Sequence, residues 1–175
     1  MIKFYILLIF PFIIATKSYS TNVAVIDVNF LINNSNHFIE VSKKINNSQI
    51  KFKEKFNKEE ENLFKIKEEL EDLKLILSED EFNLKKNIYY EKVSKFENDV
   101  SNFNNHYENE IINIKNIIFS KISELIQKYA SSNQIDLILE KNQYLIAAEK
   151  INISQTIFEK LNETKIELKF KKYEN

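Results

Sequence analysis

The sequence predicts an α+β fold that is mostly helical, with a long antiparallel coiled-coil hairpin arm projecting from a small β-strand base that oligomerises. Three observations predict it. Apolar residues recur at alternating spacings of three and four over two long stretches, the signature of a helix-pairing seam. A helix-start signal, "SEDEF", interrupts the seam midway. Short β-branched or apolar runs flank the seam, "VAVIDV" before it and "IDLIL" and "YLIAA" after it.

The first twenty residues, "MIKFYILLIFPFIIATKSYS", read as a secretory signal peptide. Lys3 precedes an apolar run over 4–15 that contains Pro11. A membrane span needs about 20 residues, more than this run offers. Ser18 and Ser20 are the small residues at −3 and −1 for cleavage before Thr21. Cleavage removes Lys3 and Lys17 and no acid, so the formal charge moves from −1 to −3. Charges of both signs are mixed along the rest, with no basic block of the kind that binds nucleic acid. The chain has no Gly, Cys, Trp or Arg. Without Gly a phosphate-cradling loop is implausible, and without Cys there is no disulfide, thiol nucleophile or zinc–thiolate site.

Residues 23–28 read as a buried strand, and Phe30 to Ile32 as one helical turn. The run "NNSNH" breaks the pattern, and a helix starts near Asn36 or Phe38 with no clear N-cap. Its seam consists of Ile45, Phe52, Glu59, Ile66 and Leu73, interleaved with Gln49, Phe56, Leu63, Leu70 and Leu77. Ser78 then caps a second helix: Glu81 completes a capping box, Leu77 and Phe82 a hydrophobic staple, and Glu79, Asp80 and Glu81 suit the helix dipole. A short connection makes the two helices antiparallel. The second helix carries Tyr89, Val93, Phe96, Val100, Phe103 and Tyr107, then Ile111, Ile114, Ile118, Ile122, Leu125 and Tyr129 nearer an eleven-residue rhythm, to about Ser131. Residues 38–77 give an arm of roughly 60 Å. "NFNNH", residues 102–106, has weak helix propensity and could let the arm bend.

"IDLIL" and "YLIAA" read as a β-hairpin around "EKNQ". A last helix follows, with Asn152 as N-cap, Gln155 as its partner, and Ile153, Ile157, Phe158 and Leu161 as buried face. The tail "ETKIELKFKKYEN" could extend this helix; the pattern sets no end. An antiparallel arm brings its ends together, so three strands meet at its base under one covering helix. So small a sheet with an unpaired edge should oligomerise, through Val23, Val25, Ile26, Leu137, Leu139 and Leu145. The organisation is therefore a signal peptide over 1–20 and a single domain over 21–175, with base segments 21–37 and 131–175 and the arm over 38–130.

In order and spacing, "VAVIDVNFLI", "YASSNQIDLILEKNQYLIAA" and "NISQTIFEKLN" resemble the Skp/OmpH family of periplasmic chaperones for outer-membrane proteins. The resemblance runs from residue 21 to about 162. It implies a homotrimer whose base strands assemble into a small barrel-like body, and three arms that enclose an unfolded client without ATP. It also implies a periplasmic location, unfolded outer-membrane proteins as partners and no cofactor. Asn152 stands where the family usually has Asp. Well-studied members are strongly basic, whereas this mature chain is acidic, which weakens any expectation of peripheral membrane or lipopolysaccharide contact; Lys85 and Lys86 do not match a site for the latter.

Apolar residues off the seam are the candidate client contacts: Phe64, Leu75, Ile76, Leu84, Tyr90, Ile112 and Ile117. Singly each reads as packing; as a set they exceed what a solvated helix pair needs. His37 reads as a loop residue and His106 as a helix-surface residue, and neither belongs to a metal or catalytic constellation. The sequence does not read as an enzyme. Two function classes remain: an ATP-independent holdase of unfolded envelope proteins, and a structural or adaptor coiled-coil protein of the envelope.

Overall fold

The computed structural model describes residues 20–174; apart from Ser20, the expected signal peptide lies outside the described residues. Strand β1 (Val23–Ile26) is half-buried at its first residue and buried over the next three. The strand stops short of residue 28 because Asp27 is a helix cap. Its Oδ1 accepts the Phe30 N–H at 2.8 Å and opens α1 (Val28–Asn34). The buried Ser35 is the cap that the Asn/Ser run concealed. Its Oγ accepts the Phe38 N–H at 3.2 Å and donates to the Ile32 carbonyl at 3.0 Å, so one hydroxyl closes α1 and opens α2 (Asn36–Leu73). His37 thus lies in the first turn of α2, not in a loop, with its Nε2 3.0 Å from the Leu161 carbonyl oxygen.

Helix α2 ends at Leu73, four residues before the last seam position. Ile76 and Leu77 both donate to the Leu73 carbonyl at 3.0 Å, which tightens the tip into a turn. Ser78 then begins α3 (Glu79–Asn133). The Glu81 carboxylate accepts the Ser78 hydroxyl at 2.6 Å and the Ser78 N–H at 3.2 Å, and these two bonds hold it below the usual carboxylate range. Helix α3 runs unbroken through the weak-propensity stretch 102–106, where Phe103 is buried: packing outweighs propensity. It ends at Gln134, whose φ of 53° is the left-handed conformation that Gly would ordinarily supply. The Gln134 and Ile135 N–H groups both return to the Ala130 carbonyl.

Strand β2 (Leu137–Glu140) pairs with β1 in parallel, Val23 opposite Leu137 and Ile26 opposite Glu140. A parallel pair needs a long crossover, and here the crossover is α1 and the whole helical hairpin. The expected β-hairpin does not form. After β2 the chain makes a 3-10 turn at Lys141–Gln143, and residues 144–148 have no strand partner among the described residues. The reason lies at the far edge of β1, where the Ile153 N–H donates to the Val25 carbonyl at 2.9 Å and Asn152 bridges to Val25. Residues 144–152 are used in crossing from β2 to that edge, so none folds back on β2. Among the described residues the sheet has two strands, not three.

Helix α4 (Ser154–Glu163) starts one residue later than expected. The Asn152 Oδ1 accepts the Ser154 N–H at 3.0 Å, but Gln155 turns to Glu159 and no reciprocal box forms. The Ser154 hydroxyl accepts the Asp27 N–H at 2.9 Å, tying α4 to the start of α1. Ile153, Ile157 and Leu161 are buried, and Phe158 stacks on Phe30 at 5.3 Å. The tail does not extend the helix. The Thr164 hydroxyl caps the Lys160 carbonyl at 2.7 Å, and the chain continues without helix along the arm. The core lies where α1, α4 and the sheet meet the arm: Leu31, Ile45, Ile114, Ile118, Ile122, Ile157 and Leu161 are essentially inaccessible to solvent.

Asp27 joins three parts of the base, since its second carboxylate oxygen accepts from Lys141 Nζ at 2.7 Å. That bond first, and the Phe30 N–H second, hold the Asp27 carboxyl below its ordinary range; the same pair raises Lys141. Asp27→Ala should lower stability by about 1 kcal/mol, mainly through the lost cap, because Lys141 is largely exposed and its charge is screened. A depressed carboxyl stabilises fully above its unfolded value of about 3.9 and ceases to do so as pH falls through the folded value. Urea midpoints of wild type and variant should therefore differ by a constant amount between pH 6 and 8 and converge below about pH 4.

Candidate functional site

The arm is built from its seam outward. At its root the seam is aromatic. Phe52 and Phe103 face each other across the helices at 5.6 Å, Phe56 lies 5.3 Å from Phe103 and 6.1 Å from Phe96, and Phe103 meets Tyr107 edge-on at 5.1 Å. The Tyr107 hydroxyl, inside this cluster, bonds the Ser48 hydroxyl at 2.9 Å. Towards the tip Leu63 is buried, but Ile66, Leu70, Leu73 and Leu77 are only half-buried, because two helices alone leave their shared stripe open on both sides. An open cleft of about 750 Å³ interrupts the seam beside Phe56, Phe96, Val100 and Phe103, with Lys53 and Glu97 at its rim.

All seven off-seam candidates are exposed. Leu75 and Ile76, at the tip turn, show 92% and 77% of their surface; Leu84, Phe64, Tyr90, Ile112 and Ile117 follow in that order. The antiparallel register set by Phe52 and Phe103 places Phe64 and Tyr90 at similar heights on the distal half, with Leu84 nearer the tip. Ile112 and Ile117 sit at the root. The seven are distributed along the arm rather than gathered into one patch. Ile39, Ile50, Ile88 and Phe119 are also exposed and were not singled out from the sequence, although they too lie off the seam. Around them the surface is charged, including i,i+3 and i,i+4 pairs such as Lys121–Glu124 and Lys44–Glu40, in which the Lys holds the Glu carboxyl below its usual range.

The six base residues divide in two. Val25 and Ile26 are buried within the single chain, and Val23 and Leu139 are half-buried. Leu137 and Leu145 remain exposed, the latter at 96%, and Ile146 beside it at 86%. Among the described residues no group of three His, Cys, Asp or Glu side chains converges as a metal site would. His106 lies at the helix surface, but it is occupied: its Nε2 is 2.8 Å from the Lys171 carbonyl oxygen of the tail. That contact was missed from the sequence. The signal for it was present, since 166–170 alternate apolar and charged residues, the rhythm of an extended segment rather than a helix.

Comparison with known proteins is consistent with this architecture. A family model described as outer membrane protein (OmpH-like) matches residues 22–161. A crystal structure from Caulobacter crescentus CB15, of a protein thought to be an outer membrane chaperone (OmpH-like), superposes with a TM-score of 0.69 at 11% identity, covering 90% of this chain and 93% of that one. At that identity the likeness concerns the fold. No curated protein matches the sequence.

The two classes of aromatic residue on the arm should respond oppositely to truncation. Phe103→Ala empties a buried seam position and should cost about 3–5 kcal/mol in urea unfolding. Phe64→Ala removes an exposed ring and should change stability by no more than about 0.5 kcal/mol.

Proposed function

The chain belongs to the OmpH-like outer membrane protein family, and on that premise we propose that it is an ATP-independent holdase of the periplasm, which binds unfolded outer-membrane proteins between helical arms. The observation that carries this reading is the set of large apolar side chains exposed along a charged helical arm: Phe64, Leu75, Ile76, Leu84, Tyr90, Ile112 and Ile117. A helix pair serving only as a spacer has no use for them, and their exposure has a cost in solubility. Scattered single contacts suit a partner that has no fixed shape. Each apolar group of an unfolded chain finds some neighbour, and no one contact is strong enough to trap it. The mechanism in this reading is shielding: the arms keep client side chains from one another until release.

Such shielding needs more than one arm, and the base is suited to supply it. Leu137 on β2 and Leu145 and Ile146 in the segment after it are exposed in the single chain, apolar surface beside an open sheet edge that a second copy would cover. In this reading the mature protein, from Thr21, is a homotrimer delivered to the periplasm by its cleaved leader. Leu137→Asp combined with Leu145→Asp is expected to leave the single chain folded, since both side chains are exposed in it, while placing unpaired charge in the interface. Light scattering should then give a monomer mass with unchanged helical circular dichroism.

The arm itself is tested by shortening it by whole heptads. Removing residues 59–72 from α2 and 87–100 from α3 takes fourteen from each helix and about 21 Å from the arm. Equal cuts leave Phe52 opposite Phe103 and spare the Ser78 cap. The holdase reading expects the same oligomeric mass and loss of most suppression of client aggregation at equal stoichiometry. An adaptor or scaffold that never held clients would show no such loss, and retained suppression would move the holding site to the base or tail.

A further inference from the structure

The tail lies in a specific place. Leaving α4 at Thr164, it runs outward along the arm root with Ile166, Leu168, Phe170 and Tyr173 packed against the core and the intervening Lys and Glu side chains in solvent. Ile166 and Leu168 lie beside His37 and Val41. Farther out, the tail's backbone is held by side chains of α3. The Glu110 carboxylate accepts the Lys171 N–H at 3.0 Å, His106 lies 2.8 Å from the Lys171 carbonyl, and the Tyr107 hydroxyl is 3.4 Å from the Tyr173 N–H. Tyr173 ends the run inside the aromatic seam, 5.3 Å from Phe52 and 5.5 Å from Phe103.

These contacts describe a groove that takes a polypeptide by features any extended chain possesses. Backbone N–H and C=O groups meet side-chain acceptors and donors, side chains 166, 168 and 170 alternate into an apolar trough, and Tyr173 follows three residues on. The groove does not end where the tail ends. The open cleft beside Phe56, Phe96 and Val100 shares Phe103 with the Tyr173 stack and continues towards the tip. The tail is basic, with four Lys against two Glu over residues 164–174. It lies against a surface that offers Glu110 at its anchor point, which favours docking without being specific for one sequence.

We propose that the groove between α2 and α3 at the arm root is a binding site for an extended polypeptide with alternating apolar side chains, and that residues 165–174 occupy it as an intramolecular stand-in which an unfolded chain displaces. The identification of that chain as an unfolded outer-membrane protein rests on the holdase reading; the groove itself does not. Transmembrane β-strands alternate apolar and polar residues with a period of two, the same rhythm as "KIELKF". The tail therefore acts as a competitor of matched chemistry. It covers the apolar trough when no client is present and lowers apparent affinity by the fraction of time it is docked.

The test uses the full mature chain carrying Phe170→Ser and Tyr173→Ser, which weakens docking without removing the tail. As a second variant, Lys171→Pro removes the tail N–H that Glu110 accepts and leaves the groove itself unchanged. The probes are a fluorescent peptide of residues 164–174 and a labelled outer-membrane protein diluted from urea. Both variants should bind the peptide about tenfold or more tightly than wild type, as expected when a tail docked at least nine-tenths of the time is released. Both should bind the client more tightly by a similar factor, and unlabelled peptide should compete with it. Failure of the peptide to bind either folded variant overturns the groove. Peptide binding with client affinity equal in variants and wild type overturns displacement by clients. Peptide binding with no client binding by any form leaves the groove in place and sinks the holdase reading instead.

Discussion

Two helices lying side by side cannot fully bury the stripe along which they meet, and the architecture of this protein follows from where a third layer is added. At the root, α1 and α4 cover the pair, and Ile114, Ile118 and Ile122 of α3 are completely enclosed. Towards the tip no third layer exists, and the same kind of seam residue is only half-buried. At about 25 cal/mol per Å² of apolar surface removed from water, stability per turn must fall along the arm from root to tip. The protein is thus a firm base carrying a progressively softer lever. That gradient suits the proposed role of the arm, because the parts farthest from the core are the easiest to deform.

The layers at the root are held in register by a few short-range polar groups, each with more than one role. Ser35 ends one helix and starts the next. Asp27 opens α1, accepts from Lys141 after β2 and donates its own N–H to Ser154 of α4. In a chain without Gly, such junctions must be made by side chains, or by tolerating an unfavourable backbone, as at Gln134. Left-handed geometry costs a non-Gly residue roughly 1 kcal/mol. Here it is offset by two N–H groups returning to Ala130, and the Gln134 carbonyl accepts from Asn22 at 2.9 Å.

The long elements were legible in the sequence because they rest on periodicity alone. The seam, the Ser78 break and the return helix need no knowledge of partners. Most of the errors fall where an outcome depends on something distant in sequence. "YLIAA" has strand composition, but a strand needs an open edge within reach, and residues 149–153 are drawn instead to the far side of β1. Asp27 was read as part of a strand, because two of its partners, Lys141 and Ser154, lie more than a hundred residues away. Ser35 was hidden among four neighbouring candidates, Asn33, Asn34, Asn36 and itself, and only burial selects it. The tail was different: its alternation was visible, and only the preceding helix suggested a helical continuation. Of the candidate site, exposure along the arm could be read from position relative to the seam, whereas the cleft and the tail contacts depend on how the helices and the tail pack.

The parallel pairing of β1 with β2 also bears on the order in which the molecule assembles. Val23 and Leu137 are neighbours in space but separated by 114 positions in the chain. In an unstructured polypeptide, closing so long a loop is entropically costly and slow, whereas the contacts between α2 and α3 nearest the tip join residues only a few positions apart. Zipping from the tip towards the root shortens the remaining loop with every turn formed, until the ends of the arm stand side by side and the two strands have little left to search. The first strand must therefore wait for its partner until the whole helical hairpin between them has been made. During that interval it is an unpaired apolar segment, the same kind of object that the folded protein is proposed to hold for others.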